Sequence, residues 1–144
     1  MKQWLMEARD SILAANAAFY RAIETLDLAA MDALWVHEPW VRCVHPGWEV
    51  LAGWDVVRSS WEKIFANTNW LRVTPTNLDA VVLGDVGVVA CSENISAQQD
   101  GDVGLAVAQA TNLFLRTSDG WRLFHHHASP APVEVTQPFS GTVQ

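Results

Sequence analysis

Apolar residues recur at three- and four-residue steps through the first half of the chain. In the second half they gather in β-branched runs cut by Gly/Asp pairs. The pattern therefore predicts helices first and strands after. Ile12, Ala15, Phe19, Ala22, Ile23 and Leu26 form one stripe of a first helix. Arg9, Asn16, Arg21 and Glu24 are assigned to its remaining face. Asp27 has N-cap chemistry for a short second helix, with Leu28, Met31, Leu34 and Trp35 on one side and Pro39 ending it. Residues 41–45 read as a short strand stopped by Pro46-Gly47. A third helix is predicted from about Asp55 to Asn67, with Val57, Trp61, Ile64 and Phe65 inward.

Four longer strands follow, at 71–83, 86–97, 103–117 and 121–129. Gly84-Asp85, Asp100-Gly101 and Asp119-Gly120 separate them, so an antiparallel meander is expected. Pro75 marks an edge or a bulge, because it cannot donate to a ladder. The fold class is α+β, with one domain over 1–129. An irregular tail over 130–144 carries Pro130, Pro132, Pro138 and Gly141, and Val133, Val135 or Phe139 could pin it.

The last hairpin can be read in register. With Ser118-Asp119-Gly120 as a three-residue loop, Arg116 faces Arg122 and Leu115 faces Leu123. Continuing, Leu113 faces His125, Asn112 faces His126 and Thr111 faces His127. Strand alternation then sends His125 and His127 to the helix-covered face and His126 outward. Phe114 and Phe124 fall on the outer, arginine-bearing face, where an apolar band predicts a homodimer interface.

Composition narrows the function classes. Sixteen acids against nine bases give a net charge of −7 over 144 residues, with no basic patch, so neither nucleic acid nor an anionic membrane is an expected partner. No stretch has the length of a membrane span or the pattern of a signal peptide, and a cytoplasmic location is expected. Cys43 and Cys91 then read as reduced and structural. Eight Trp stand against one Tyr, and the run from Trp35 to Trp61 suggests an aromatic wall around a cavity.

The element order, with Leu26-Asp27-Leu28-Ala29-Ala30-Met31, His45-Pro46-Gly47-Trp48, Gly53-Trp54-Asp55-Val56-Val57-Arg58 and the closing Gly120-Trp121-Arg122-Leu123, resembles the nuclear transport factor 2-like superfamily in its SnoaL-like branch. The resemblance covers roughly Ile12 to Ser129. It implies a cone-shaped, curved antiparallel sheet wrapped around the three N-terminal helices, an internal pocket and usually a dimer. It also implies a choice among cyclases, isomerases, dehydratase-like lyases, epoxide hydrolases and non-catalytic binders, since fold does not select one. Such catalysts often hold an Asp in the pocket, whereas here His127 or His125 occupies that region of the last strand.

The candidate catalytic residues are therefore His45, His127 and Glu93. His45 ends the first strand at the expected pocket mouth, as an acid, base or ligand donor, or else as a plain loop histidine. Glu93 would be a raised-pKa acid if inward and an ordinary surface carboxylate if outward, and the outward facing is slightly favoured. Trp48, Trp54, Trp61, Thr111 and His125 are the candidate ligand contacts. No His-Glu-x-x-His is present, so no metal is expected, and no cofactor either. The leading reading is acid–base catalysis of an isomerase, dehydratase or cyclase type on a small hydrophobic, cyclic or carbonyl-bearing molecule. The alternative is a non-catalytic ligand-binding or sensing module. Two titratable groups converging inside the pocket would favour the enzyme.

Overall fold

The stripe beginning at Ile12 belongs to a helix longer than its apolar period. In the computed structural model, which describes residues 2–132 (Gln99 by its backbone alone), α1 spans Lys2–Glu24. It closes with Asp27 N–H bonded to the Ala22 carbonyl and Leu26 N–H to that of Ile23. Leu26 takes the left-handed conformation at φ 53° that such a closure requires. Asp27 then caps α2, Leu28–Leu34, by accepting from the Ala30 N–H at 3.0 Å. After β1 (Arg42–Val44) and a two-residue β2 (Leu51–Ala52) that the sequence pattern did not reveal, α3 runs over Trp54–Ala66. Strands β3 (Trp70–Leu83), β4 (Val86–Gln99), β5 (Asp102–Thr117) and β6 (Gly120–Ala131) complete the order.

One curved, unclosed sheet carries all six strands in the order β2-β1-β6-β5-β4-β3. The four long strands form the predicted antiparallel meander, and β1 docks parallel to β6, with Cys43 opposite His126. Pro75 lies in β3, an edge strand that pairs only with β4, and an irregularity follows it between Thr76 and Asp79. The helices pack on one face. There Ile12, Phe19, Tyr20, Ile23, Met31, Trp35, Val57 and Trp61 meet Val89, Cys91, Ala108, Ala110, Phe114, Leu123 and Ala128. β6 takes in Pro130 and Ala131, the start of the expected tail, and residues 133–144, with Val133, Val135 and Phe139, lie outside the described ones. Among the described residues no helix is long and apolar enough to cross a membrane.

The facing of the last hairpin is the principal correction. Thr117 pairs directly with Gly120, one step tighter than a three-residue loop, so Leu115 lies opposite Arg122 and Phe114 opposite Leu123. A bulge at Phe124 then absorbs one residue and restores the pairs Leu113–His125, Asn112–His126 and Thr111–His127. Leu123 and His126 therefore both face inward, although three positions separate them, and both are buried. His125 and His127 face outward, as does Thr111, and Phe114 and Asn112 are buried rather than exposed. The dimer expectation rested on Phe114 and Phe124 sharing the outer face. Phe114 is in the core, and that face instead presents Thr111, Leu113, His125 and His127.

The physical reason is size. The inward column of β5 includes Ala108 and Ala110, beside Cys91 of β4 and Ala128 of β6. Small residues let α1 approach the sheet. The opposite parity would place Val107, Gln109, Thr111 and Leu113 under it. Gly87 serves the same approach, since a Cβ there would sit 2.6 Å from Ile12 Cγ2.

Candidate functional site

Polar groups inside so apolar a core must find partners or cost free energy. Here they find one another. Helix α1 contributes Asn16 and Tyr20, one turn apart; β4 contributes Cys91 and Glu93; β5 contributes Asn112; β6 contributes His126. Asn112 Nδ2 donates to Asn16 Oδ1 at 2.8 Å and to Tyr20 Oη at 3.1 Å. The tyrosine hydroxyl in turn donates to Glu93 Oε2 at 2.7 Å and lies 3.3 Å from Cys91 Sγ.

That chain fixes the tautomer of His126. The amide nitrogen of Asn112 is committed to Asn16 and Tyr20, so its Oδ1 is the acceptor of the 2.6 Å contact with His126 Nδ1. The proton of the neutral ring is on Nδ1. Nε2 keeps its lone pair and faces Glu93 Oε2 at 4.0 Å. Two titratable groups thus converge in the cone, one of them the histidine that alternation had sent outside. Burial, helped by the neighbouring imidazoles, pushes His126 down to about 3. Burial also raises the Glu93 carboxyl, against the opposing hydrogen bond from Tyr20. The Tyr20 hydroxyl is driven upward by burial and by Glu93. At neutral pH the imidazole is an uncharged base, and burial holds the carboxyl beside it above the usual carboxylate range.

His45 joins this region from the end of β1. Ser60 donates to the Val57 carbonyl at 2.6 Å, so the 2.9 Å contact between its Oγ and His45 Nε2 is donated by the imidazole. Burial lowers His45 to about 4. Its ring meets Trp61 edge-on at 4.6 Å and lies 6.5 Å from His126. Trp61 also borders Phe19, Phe65 and His126. Trp48, half exposed, covers His45 from outside, edge-on at 4.8 Å.

The remaining candidates fall elsewhere. Trp54 packs on Trp35 and stacks with His37 at 4.6 Å, lining a surface pocket of about 540 Å³ with Glu38, Pro39 and Asp55. Thr111 and His127 line an outer-face pocket of about 470 Å³ with Asn77, Ser92 and Gln109. His125 lies next to His127 on that face, where burial and then His127 and Arg42 lower it. The structure therefore brings Glu93, His45 and Trp61 together, keeps Trp48 at their edge, and leaves Trp54, Thr111, His125 and His127 apart. Glu93 faces inward and is almost fully buried, against the facing favoured from sequence.

Sequence reasoning missed four members of the interior cluster: Asn16, Tyr20, Asn112 and His126. A signal existed for two. Asn16 is four residues from Ile12 and three from Phe19, on the apolar stripe rather than the polar face. Tyr20, the sole tyrosine in the chain, follows it by four. Asn112 and His126 could not be placed without the bulge. Among the described residues no three of His, Cys, Asp and Glu are gathered so as to hold a metal ion.

Comparison with known proteins gives consistent relatives. The model of the SnoaL-like domain family matches residues 12–134. A solved structure from Streptomyces avermitilis, proposed to be a dehydratase of the NTF2-like family, is 38% identical with a TM-score of 0.82, covering 87% of this chain and 96% of that one. A solved structure from Thiobacillus denitrificans, proposed to be a calcium/calmodulin-dependent protein kinase type II association domain, is 31% identical with a TM-score of 0.73, covering 83% of this chain and 94% of that one. F-box protein SKIP8 of Arabidopsis thaliana is 29% identical over 130 residues, covering 88% of this chain and 52% of the relative, so this chain spans about half of its length.

Proposed function

The chain belongs to the SnoaL-like domain family, and on that premise we propose that its interior carries out acid–base chemistry on a small hydrophobic carbonyl compound. The observation that carries this reading is the convergence of Glu93 Oε2 and His126 Nε2 at 4.0 Å in a water-poor, aromatic interior. A substrate β-hydroxyl against Glu93 Oε2 leaves the adjacent α C–H to face His126 Nε2.

Dehydration uses both groups. His126 Nε2 takes the proton α to the carbonyl as the C–H bond breaks. Its imidazolium forms beside Glu93 and is held by the Asn112 carbonyl oxygen at Nδ1. Glu93, biased toward its acid form by burial, gives its proton to the departing β-hydroxyl, and water leaves as the double bond forms. The proton on His126 then returns to Glu93 and resets the pair. Tyr20 steadies the carboxylate between these steps by donating to Oε2. The similarity to the Streptomyces protein proposed as a dehydratase favours this reaction over isomerisation or cyclisation, which would use the same base.

The test is conversion of 3-hydroxycyclohexanone to cyclohex-2-enone, followed by the absorbance of the enone. Wild-type protein should accelerate it, and Glu93→Gln or His126→Asn should lose at least a hundredfold, within the range for a positioned acid or base. Circular dichroism checks that each variant keeps its fold. Unchanged rates in both folded variants would refute the reading. Binding of the ketone without turnover in wild type would leave a ligand-binding module.

A further inference from the structure

The indole N–H of Trp61 is buried without a hydrogen-bond partner among the described residues. The residue is only 3% exposed. A buried donor left unpaired loses its water hydrogen bond and gets nothing back, so native proteins rarely keep one without a reason. The indole of Trp35 shares this condition, but its ring neighbours are Phe19 and Trp54, away from the titratable groups. Trp61 borders both interior imidazoles, its ring centre 4.6 Å from that of His45 and 6.2 Å from that of His126. Near it, His45 Nε2–H is engaged by Ser60, and His126 Nδ1–H by Asn112. The Asn112 amide is committed to Asn16 and Tyr20, and the Tyr20 hydroxyl to Glu93. These donors are all used, and the Trp61 N–H remains.

We infer that Trp61 Nε1–H anchors the oxygen of the bound molecule, which makes Trp61 the residue that selects a ring compound bearing a carbonyl or ether oxygen over a hydrocarbon of the same shape. The inference rests on the reading of the interior as a ligand site. It assigns to Trp61 a task that neither Glu93 nor His126 can perform. Those two move protons at carbon and at a leaving oxygen, whereas the indole donates without titrating. Phe19 and Phe65, flanking Trp61, supply the apolar surface for the rest of the ring.

Two measurements on the full chain test it. In nitrogen-15 NMR spectra, the Trp61 indole cross-peak, assigned through Trp61→Phe, should move downfield on titration with cyclohexanone. With methylenecyclohexane, which has the same shape and no acceptor, it should show no downfield shift. In parallel, Trp61→3-benzothienylalanine replaces the N–H by sulfur in a ring of nearly the same size. Wild type should bind the ketone about tenfold more tightly than the hydrocarbon, the effect of pairing one neutral buried donor. The variant should bind the two about equally. If the ketone binds but the cross-peak stays unmoved, or the preference survives in the variant, the anchor assignment is wrong. Enone formation with its dependence on Glu93 and His126 can still stand in that case. If neither probe binds wild type at saturation, the anchor falls together with its premise of an interior ligand site. Should the variant fail to fold, the cross-peak measurement on the unmodified chain still decides.

Discussion

Replacing Tyr20 by Phe removes one oxygen atom and leaves the ring, so it isolates what that oxygen does inside the cone. The hydroxyl donates to Glu93 Oε2 at 2.7 Å and accepts from Asn112 Nδ2 at 3.1 Å, and the residue is 2% exposed. Without it, one hydrogen of the Asn112 amide is stranded and Glu93 loses its donor. Where Glu93 is protonated, the loss is one neutral hydrogen bond plus a partly unsatisfied amide, about 1–2 kcal/mol. Where Glu93 is ionised, a charged acceptor has lost its donor, and the loss grows to about 2–4 kcal/mol. The sign follows from linkage. Burial holds the folded pKa of Glu93 above its unfolded value. The stability this gives is full at pH below the unfolded pKa and is lost as pH rises through the folded one. The Tyr20 bond limits that rise. Tyr20→Phe therefore lifts the folded pKa further and widens the window in which raising the pH destabilises the protein. Urea unfolding at a series of pH values measures this directly. The midpoint difference between wild type and variant should be modest at acidic pH and grow as the pH is raised. At a slope of about 1–3 kcal/mol/M, it should reach about 1 M or more at the alkaline end. A difference below about 0.5 kcal/mol throughout, or one independent of pH, would refute both the network and the buried ionisable state of Glu93.

Two further outcomes are expected. Gly87→Ala should destabilise by about 1–3 kcal/mol, because the new methyl meets the fully buried Ile12 side chain at 2.6 Å. In the double variant with Ile12→Ala the two effects should fall short of additive by about 1 kcal/mol, as a double-mutant cycle on thermal or urea unfolding will read. Stability should also fall as pH is lowered from about 6.5, the ordinary histidine value. His45 and His126 stay neutral in the fold down to about 4 and about 3, respectively, while the unfolded chain takes up their protons. His45→Gln should remove about one proton from that pH slope, and an unchanged slope would count against the buried, neutral state of His45.

Apart from the two-residue β2, the elements themselves were legible in the chain because they obey local rules. The three-and-four period on one side of α1, the Asp27 cap and the Gly/Asp turns after Leu83, Gln99 and Ser118 are nearest-neighbour chemistry. Together with the quoted motifs, they carry the family resemblance. His45 and Trp61 were legible for a similar reason: one sits at the end of a short strand, and the other lies on the apolar stripe of a helix.

Facing on the last two strands was decided elsewhere. Along β5, one parity holds Ala108, Ala110, Asn112 and Phe114, and the other holds Val107, Gln109, Thr111, Leu113 and Leu115. By hydrophobicity alone the second set looks more like a core. It loses because α1 lies close against the sheet, where small residues fit and a full column of branched ones does not. The polar Asn112 is tolerated in the winning set only because Asn16, Tyr20 and His126 arrive from three other elements to pair with it. One bulged residue, Phe124, then reverses the sense of the three histidines and brings His126, not His127, to Glu93. Local sequence set where the strands lie. The distance between a helix and a sheet, together with the need to pair every buried polar atom, set which side chains those strands present to the site.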